Sequence, residues 1–430
     1  MKNPWTKALN CGRMWSLKVG PPNPQRRGLA QKSPHEEVQV TSPNRSNSDL
    51  LAEVTATPGG ERVGTCYQCG TCSGSCPTAT AMDYTPRALL HMIRLGMGER
   101  VLHSRAIWLC TTCYSCTTRC PREIGITETM VGLRSLAIAR GVPVPENLVR
   151  LRDTVSTNYN ISGDDNATRL IWSQNLDEEA LVFQQKREAP VLFFVGCVAA
   201  FYPMVYGIPQ ALAQVMLAAD VDFATLGGEE WCCGYPLFSA GMEEQVVPLM
   251  KHNIEQVKAM GAKTVVTTCP SCYHTWEHIY PRLASSPLGF EVLHASQFLA
   301  QLMQGGKLKL KGVEDTATYH DPCDLGRKSG VYDAPRQVIE GIPGLEFIEF
   351  ESNREHALCC GGGGDVQIVD ESVTAAVAAR RVQQARKTGA RILLSACQQC
   401  KRTLMTAARK EKVRVRVMDI AELVWRAVEG

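Results

Sequence analysis

A chain of 430 residues has room for roughly two to four domains with buried cores. Its formal charge of +3 is unevenly spread, with eight Lys/Arg against three Asp/Glu in residues 1–50 and a net −2 over the other 380. That near-neutral body excludes the concentrated positive field on which nucleic-acid binding depends, and nineteen cysteines in short, repeated spacings turn attention to sulfur chemistry instead.

Residues 1–60 hold seven prolines among basic, Ser and Asn residues, a composition with too little apolar surface to offset the entropy of ordering, so a disordered basic extension is expected there. Cys11 stands alone in it, outside any cluster. Trp5, Cys11 and Trp15 lie among Lys, Pro and Asn rather than in an apolar secretory core, so the chain is expected in the reducing cytoplasm. There, clustered thiols point to metal or redox chemistry rather than to disulfides. The sequon-like Asn160 and Asn166 are then expected in unused surface loop. The longest apolar stretch, 191–216, is broken by Gly196, Pro203, Gly207 and Pro209 and falls short of the roughly 20 uninterrupted residues of a membrane span. Any membrane association is expected to be peripheral, through a partner subunit.

Residues 61–145 carry two copies of C-x2-C-x2-C-x3-C-P: Cys66, Cys69, Cys72 and Cys76 before Pro77, and Cys110, Cys113, Cys116 and Cys120 before Pro121. In this spacing three thiolates face one cubane while the fourth serves the other cluster. Cys66, Cys69 and Cys72 therefore pair with Cys120, and Cys110, Cys113 and Cys116 with Cys76, around two 4Fe-4S cubanes. Structural zinc wants paired cysteines about 15–20 residues apart, not triplets followed by Cys-Pro. Between the motifs Pro86 opens a helix with an apolar stripe of Leu89, Leu90, Ile93 and Met97; after them Thr127 caps a second helix carrying Val131, Leu133, Leu136 and Ala137, which stops at Gly141.

Residues 146–188 read as a helical linker broken by the turn-rich stretch 158–165. Beyond it Val191–Val195, Phe223–Leu226 and Lys263–Thr267 read as buried strands separated by helices such as Glu243–Met260, a rhythm that implies a parallel sheet. The unit is then repeated: Cys197, Cys232, Cys269 and Cys272 return as Cys323, Cys359, Cys397 and Cys400, at offsets of 126 to 128. Two lobes, 189–312 and 313–430, follow from this duplication, with a cleft expected between them.

Each lobe holds five cysteines as a single, an adjacent pair followed by glycine, and a C-x2-C: Cys197, Cys232-Cys233-Gly234, Cys269 and Cys272, then Cys323, Cys359-Cys360-Gly361, Cys397 and Cys400. Five thiols exceed an ordinary cubane, and adjacent cysteines suit neighbouring irons of a more open cluster, with glycine letting the backbone approach. A thioredoxin-like dithiol at Cys269-Pro-Ser-Cys272 is the rival reading, but it leaves Cys397-Gln-Gln-Cys400 and both doublets unexplained. The run Gly361–Gly364 lacks the downstream Lys-Ser/Thr of a phosphate-binding loop and reads as a loop hugging the metal.

With these motifs the chain resembles a fusion of the ferredoxin-type subunit of heterodisulfide reductase, in Cys66–Pro77 and Trp108–Cys116, with that enzyme's duplicated CCG-domain subunit. It is more weakly similar to iron–sulfur subunits of glycolate and lactate oxidation complexes. The resemblance implies an α/β fold: a mostly helical ferredoxin-type di-cluster domain followed by two Rossmann-like CCG lobes in pseudo-twofold relation. It implies that each five-cysteine set holds a noncubane 4Fe-4S cluster and that the ten lobe cysteines are catalytic. Electrons would then pass from a flavin-containing or cytochrome b-type partner through the cubanes to a small-molecule disulfide. A rival reading makes the chain an electron conduit of a flavin dehydrogenase complex with no substrate of its own. One departure is Asp324, where related sequences often carry a second histidine, so substrate chemistry near Cys323 is expected to differ. His320, His274 and His356 are candidate proton donors, Arg327 and Lys328 candidate contacts for an anionic substrate, and the basic run Lys401–Arg416 a solvated edge or a docking site for an acidic partner.

Overall fold

The computed structural model describes residues 49–430, all of which fall in one compact unit. Cys11 and most of the expected basic extension lie outside the described residues. Within the stretch expected to be disordered, Asp49–Thr55 is a helix that buries Leu50 and Val54 in the core. Four residues apart, these two share one helix face and give a short segment enough apolar area to dock.

The helix Pro86–Arg94 buries Leu89, Leu90 and Ile93, with Pro86 at its start where the missing N–H costs nothing. Met97 lies beyond its end. The helix Ile126–Ala139 starts one residue ahead of the expected cap: the Thr127 N–H donates to Thr117 Oγ1 at 3.0 Å, so a neighbouring loop satisfies the orphan donor and Thr127 sits inside the first turn. Its buried face is Ile126, Met130, Leu133 and Ala137. After the helix Glu146–Asn158 the linker is a series of 3-10 turns that covers the first lobe, where Phe183 stacks on Phe223 at 5.0 Å. Asn160 and Asn166 are buried in it, not exposed: the Asn160 side chain ties the turn to Asn158 O and Asp164 O, and Asn166 bonds Glu230 O at 3.0 Å.

The first lobe contains β1 (Val191–Phe194), β2 (Phe223–Ala224), β3 (Thr264–Thr267) and β4 (Glu291–His294), all parallel, in the order β2-β1-β3-β4. The second contains β5 (Asp315–His320), β6 (Leu345–Phe347), β7 (Ile392–Ser395) and β8 (Arg416–Asp419), again parallel, in the order β6-β5-β7-β8. One topology twice is what the cysteine repeat predicts. In both sheets the order switches direction at the central strands, and the crevice at their carboxyl ends is where open α/β folds bind ligands. Cys197 and Cys269 follow β1 and β3; Cys323 and Cys397 follow β5 and β7. Among the described residues no helix is long and apolar enough to cross a membrane.

Candidate functional site

All eighteen clustered cysteines are free thiols. Cys66, Cys69, Cys72 and Cys120 line one pocket, so the fourth cysteine of the second motif joins the first three of the first. Cys69 is exposed there and Tyr67 is 59% exposed, which brings this nest to the surface. The second nest is deeper. Burial, followed by the charges of Cys110 and Cys113, pushes the Cys76 thiol up to about 12, and burial beside Cys110, Cys113 and Cys76 raises Cys116 as well.

In each lobe the doublet is organised alike. The glycine after it has positive φ, +84° at Gly234 and +88° at Gly361, and turns its N–H onto the first sulfur of the pair: Gly234 to Cys232 Sγ at 3.4 Å, Gly361 to Cys359 Sγ at 3.2 Å. The second sulfur meets the C-x2-C, with Cys272 Sγ donating to Cys233 Sγ at 3.4 Å and Cys360 and Cys400 sulfurs 3.3 Å apart. Hydrogen bonds from Cys232 and Cys272 lower the Cys233 thiol, and bonds from Cys359 and Cys400 lower Cys360. The bond with Cys272 lowers Cys269 as well; since the thiolate is the metal-binding form, the second sulfur of each doublet is prepared as a ligand. Buried all-sulfur donor sets with N–H groups turned toward them fit iron–sulfur clusters.

The lobes differ in what they face. All five first-lobe cysteines line a cavity of about 370 Å³, closed from the other side by Gly362–Gly364, Gln399 and Arg402 of the second lobe. The second-lobe set turns to the ferredoxin-type domain. Cys359 shares a pocket of about 500 Å³ with Cys76, and Cys323 and Cys359 pack with Cys113. Gly364 lies so close to Cys110 O that no side chain fits; the glycine run therefore serves backbone approach as well as the sulfurs.

Two arginines that no sequence motif marks hold the assembly together or meet the sulfurs. Arg169, from the linker, pairs with buried Glu230 at 3.0 Å and reaches Cys197 Sγ at 3.6 Å, while Glu230 accepts from the Val195 and Gly196 N–H groups at 2.8 Å. Arg134, wholly buried, donates to Ile107 O, Cys110 O and Ser239 O at 2.6–2.7 Å and so fastens the ferredoxin-type domain to the first lobe. Gln398, inside the second lobe's C-x2-C, crosses to the first lobe, donating to Val195 O at 2.7 Å and Thr268 Oγ1 at 2.6 Å and accepting from Ala199 N at 3.0 Å. A lone Arg or Gln has no spacing to give it away, so only the folded chain reveals these roles.

Several candidate substrate contacts are corrected. Arg327 is consumed by Cys113 O at 2.6 Å, Ala357 O at 2.8 Å and Cys323 Sγ at 2.9 Å. Lys328 is buried against Asp324 at 2.7 Å and also donates to Tyr235 Oη. Asp324 accepts from Ser271 Oγ of the first lobe at 2.6 Å, so it serves the lobe interface. His274, pushed down to about 3 by burial, is neutral and bonded to Ser329, and His356 is exposed beside Arg119. In the basic run, Lys401 is paired with Glu422 at 2.7 Å, whereas Arg402 lies over the Tyr202 ring and makes no ion pair among the described residues.

Asp365, on the same cavity wall, is half-buried and accepts from Ser239 Oγ at 2.5 Å; loss of hydration pushes its carboxyl up to about 6. Because the folded value lies above the ordinary 3.8, the stability linked to its protonation is present below about pH 4 and lost as pH rises through 6. Asp365→Asn is thus expected to leave stability unchanged at pH 4 and to raise it at pH 8 by up to about 3 kcal/mol, at roughly 1.4 kcal/mol per pH unit. Thermal unfolding at both pH values checks this.

Comparison with known proteins agrees with this architecture. Residues 62–124 match the 4Fe-4S dicluster domain family, and residues 191–276 and 317–405 each match the cysteine-rich domain family CCG. The chain is 33% identical to a protein of Methanosarcina mazei named as a subunit of dihydromethanophenazine:CoB–CoM heterodisulfide reductase, over 84% of this chain and 93% of that one. It is 35% identical to the protein of the same name from Methanosarcina barkeri, over 74% and 77% of the two chains. A Syntrophomonas wolfei protein named EtfAB:quinone oxidoreductase is 31% identical over 76% of this chain but 47% of its own length. These matches, with the sulfur-lined nests, identify an iron–sulfur oxidoreductase. The chain belongs to the heterodisulfide reductase family of iron–sulfur subunits that join a dicluster domain to two CCG domains.

Proposed function

We propose that this protein reduces a disulfide bearing an anionic group, at the first-lobe cysteines, with electrons received through the ferredoxin-type domain. The observation that carries the reading is the cavity between the lobes whose wall is formed by all five first-lobe cysteines, Cys197, Cys232, Cys233, Cys269 and Cys272. In this reading Cys66, Cys69, Cys72 and Cys120 hold one cubane and Cys76, Cys110, Cys113 and Cys116 the other, and each lobe's five cysteines hold a noncubane cluster. Such clusters supply electrons singly, and two electrons with two protons convert one disulfide into two thiols. In this reading a flavin-containing or cytochrome b-type partner delivers electrons at the first nest, a reading that the exposure of Tyr67 and Cys69 supports. The packing of Cys113 on Cys323 and Cys359 supports a path from the second cubane through the second lobe to the first. Arg402, with no carboxylate partner among the described residues, stands at the cavity to hold the anionic group by charge-assisted hydrogen bonds.

The test oxidises anaerobically purified protein with a panel of thiols present and records EPR spectra. A paramagnetic signal that depends on the thiol is the expected result, and spectra indifferent to every thiol overturn it. Arg402→Ala is expected to raise the concentration of an anionic thiol needed for the signal at least about tenfold, the loss of roughly 1.4 kcal/mol, with a neutral thiol unaffected. The second reading, an electron conduit between a flavin dehydrogenase and a quinone-linked partner, is favoured by the name of the Syntrophomonas relative. Thiol-indifferent spectra in protein that still passes electrons to a quinone would establish that reading instead.

A further inference from the structure

The two lobes repeat each other in cysteine spacing yet differ at one buried position at the end of the strand that precedes each set. Three residues before the first cysteine of each set, the first lobe has Phe194 at the end of β1 and the second has His320 at the end of β5. The His320 ring is wholly buried. Its Nδ1 receives the Nε–H of Arg381 at 3.1 Å, and that guanidinium is held by Gln384 Oε1 at 2.9 Å and lies over the Phe350 ring at 3.6 Å.

A guanidinium offers donors only and keeps its protons. Nδ1 must therefore present its lone pair, which leaves the single ring proton on Nε2. That Nε2 is buried and has no hydrogen-bond partner among the described residues, a state that is costly unless something accepts from it. The acceptors at hand are sulfurs, for an imidazole nitrogen of His320 and the sulfurs of Cys360 and Cys400 all lie within 4.8 Å of one another. A protonated Nε2 has no lone pair for iron, so the arginine lock also argues against direct ligation.

We propose that His320 donates its Nε2–H to the sulfurs of Cys360 and Cys400 and thereby holds the second-lobe cluster at a higher reduction potential than the first-lobe cluster, whose lobe has Phe194, without an N–H donor in its side chain, at the corresponding position. The inference rests on the iron–sulfur reading of the second-lobe cysteines. An N–H···S bond stabilises the reduced, more negative cluster and so raises its potential. The second-lobe cluster then stays reduced at poises where the cavity-facing one is oxidised, which makes it an electron store next to the site of use.

The test is a redox titration followed by EPR on the full chain, purified anaerobically and labelled with 15N-histidine. The wild type is expected to show a weak 15N coupling on the signal that Cys360→Ala removes. His320→Phe, which copies the first lobe, is expected to change the reduced-to-oxidised ratio of that centre about tenfold at fixed poise, or about 59 mV downward for one electron. His320→Gln, which keeps an N–H donor, is expected to restore most of the shift. A strong 15N coupling typical of a direct ligand, or an intact signal whose midpoint is unmoved in His320→Phe, overturns this inference alone. Absence of any signal that depends on Cys360 overturns the iron–sulfur reading of the lobe and the inference with it. Should His320→Phe fail to fold, the wild-type 15N coupling and the glutamine variant still decide the matter.

Discussion

Cys360→Ala is expected to erase one paramagnetic centre completely while the two ferredoxin-type signals persist, and Cys233→Ala is expected to erase a different one. Each residue is a doublet sulfur that neighbouring thiols lower, Cys360 beside Cys359 and Cys400, Cys233 beside Cys232 and Cys272. Loss of that sulfur removes the ligand best prepared to bind, and no spare thiol stands in either lobe among the described residues to replace it. The first-lobe variant is expected to lose the thiol-dependent signal, because its set lines the cavity. Iron and acid-labile sulfide should fall by one cluster's worth in each variant. Simultaneous loss of every signal would refute separate nests, and an unchanged spectrum would refute the assignment of the doublet.

Arg134→Met is expected to lower the stability of the protein by at least about 3 kcal/mol. The guanidinium is inaccessible to solvent and serves carbonyl oxygens of Ile107, Cys110 and Ser239 at 2.6–2.7 Å. Hydrogen bonds to a charged donor contribute about 1.5–3 kcal/mol each, and buried carbonyls left without one incur the desolvation penalty. Methionine keeps the apolar stem, so the loss reports on the polar head. Chemical denaturation of the wild type and the variant measures it; a change below about 1 kcal/mol would show that the interface is held elsewhere.

Much of the fold is legible in the sequence because short-range pattern and local structure agree. The cysteine offsets of 126 to 128 announce two copies of one unit, and both copies have the same parallel strand order. Strand cores such as Val191–Phe194 and Thr264–Thr267 lie within one residue of expectation, since apolar runs between turns leave few alternatives. Ends are less legible. Thr127 reads as a helix cap, but its N–H is met by Thr117, a partner from another loop. The helix Asp49–Thr55 leaves little trace in the pattern, because seven residues are a weak signal until a core exists to receive Leu50 and Val54.

The site divides in the same way. Metal-ligand spacing is a local constraint, since a cluster a few ångströms across demands thiols at fixed short separations. The two ferredoxin-type motifs and the two five-cysteine sets, eighteen cysteines in all, are therefore legible as candidate ligands from residue order alone. Folding was needed to show which set borders the cavity, that Arg327 and Lys328 are spent on the protein itself, that Gln398 and Arg134 tie the domains together, and that Arg381 meets the His320 ring. Those roles depend on contacts between residues tens to hundreds of positions apart. A buried side chain's partners are set by how the lobes close on one another, and no spacing within either lobe encodes that closure.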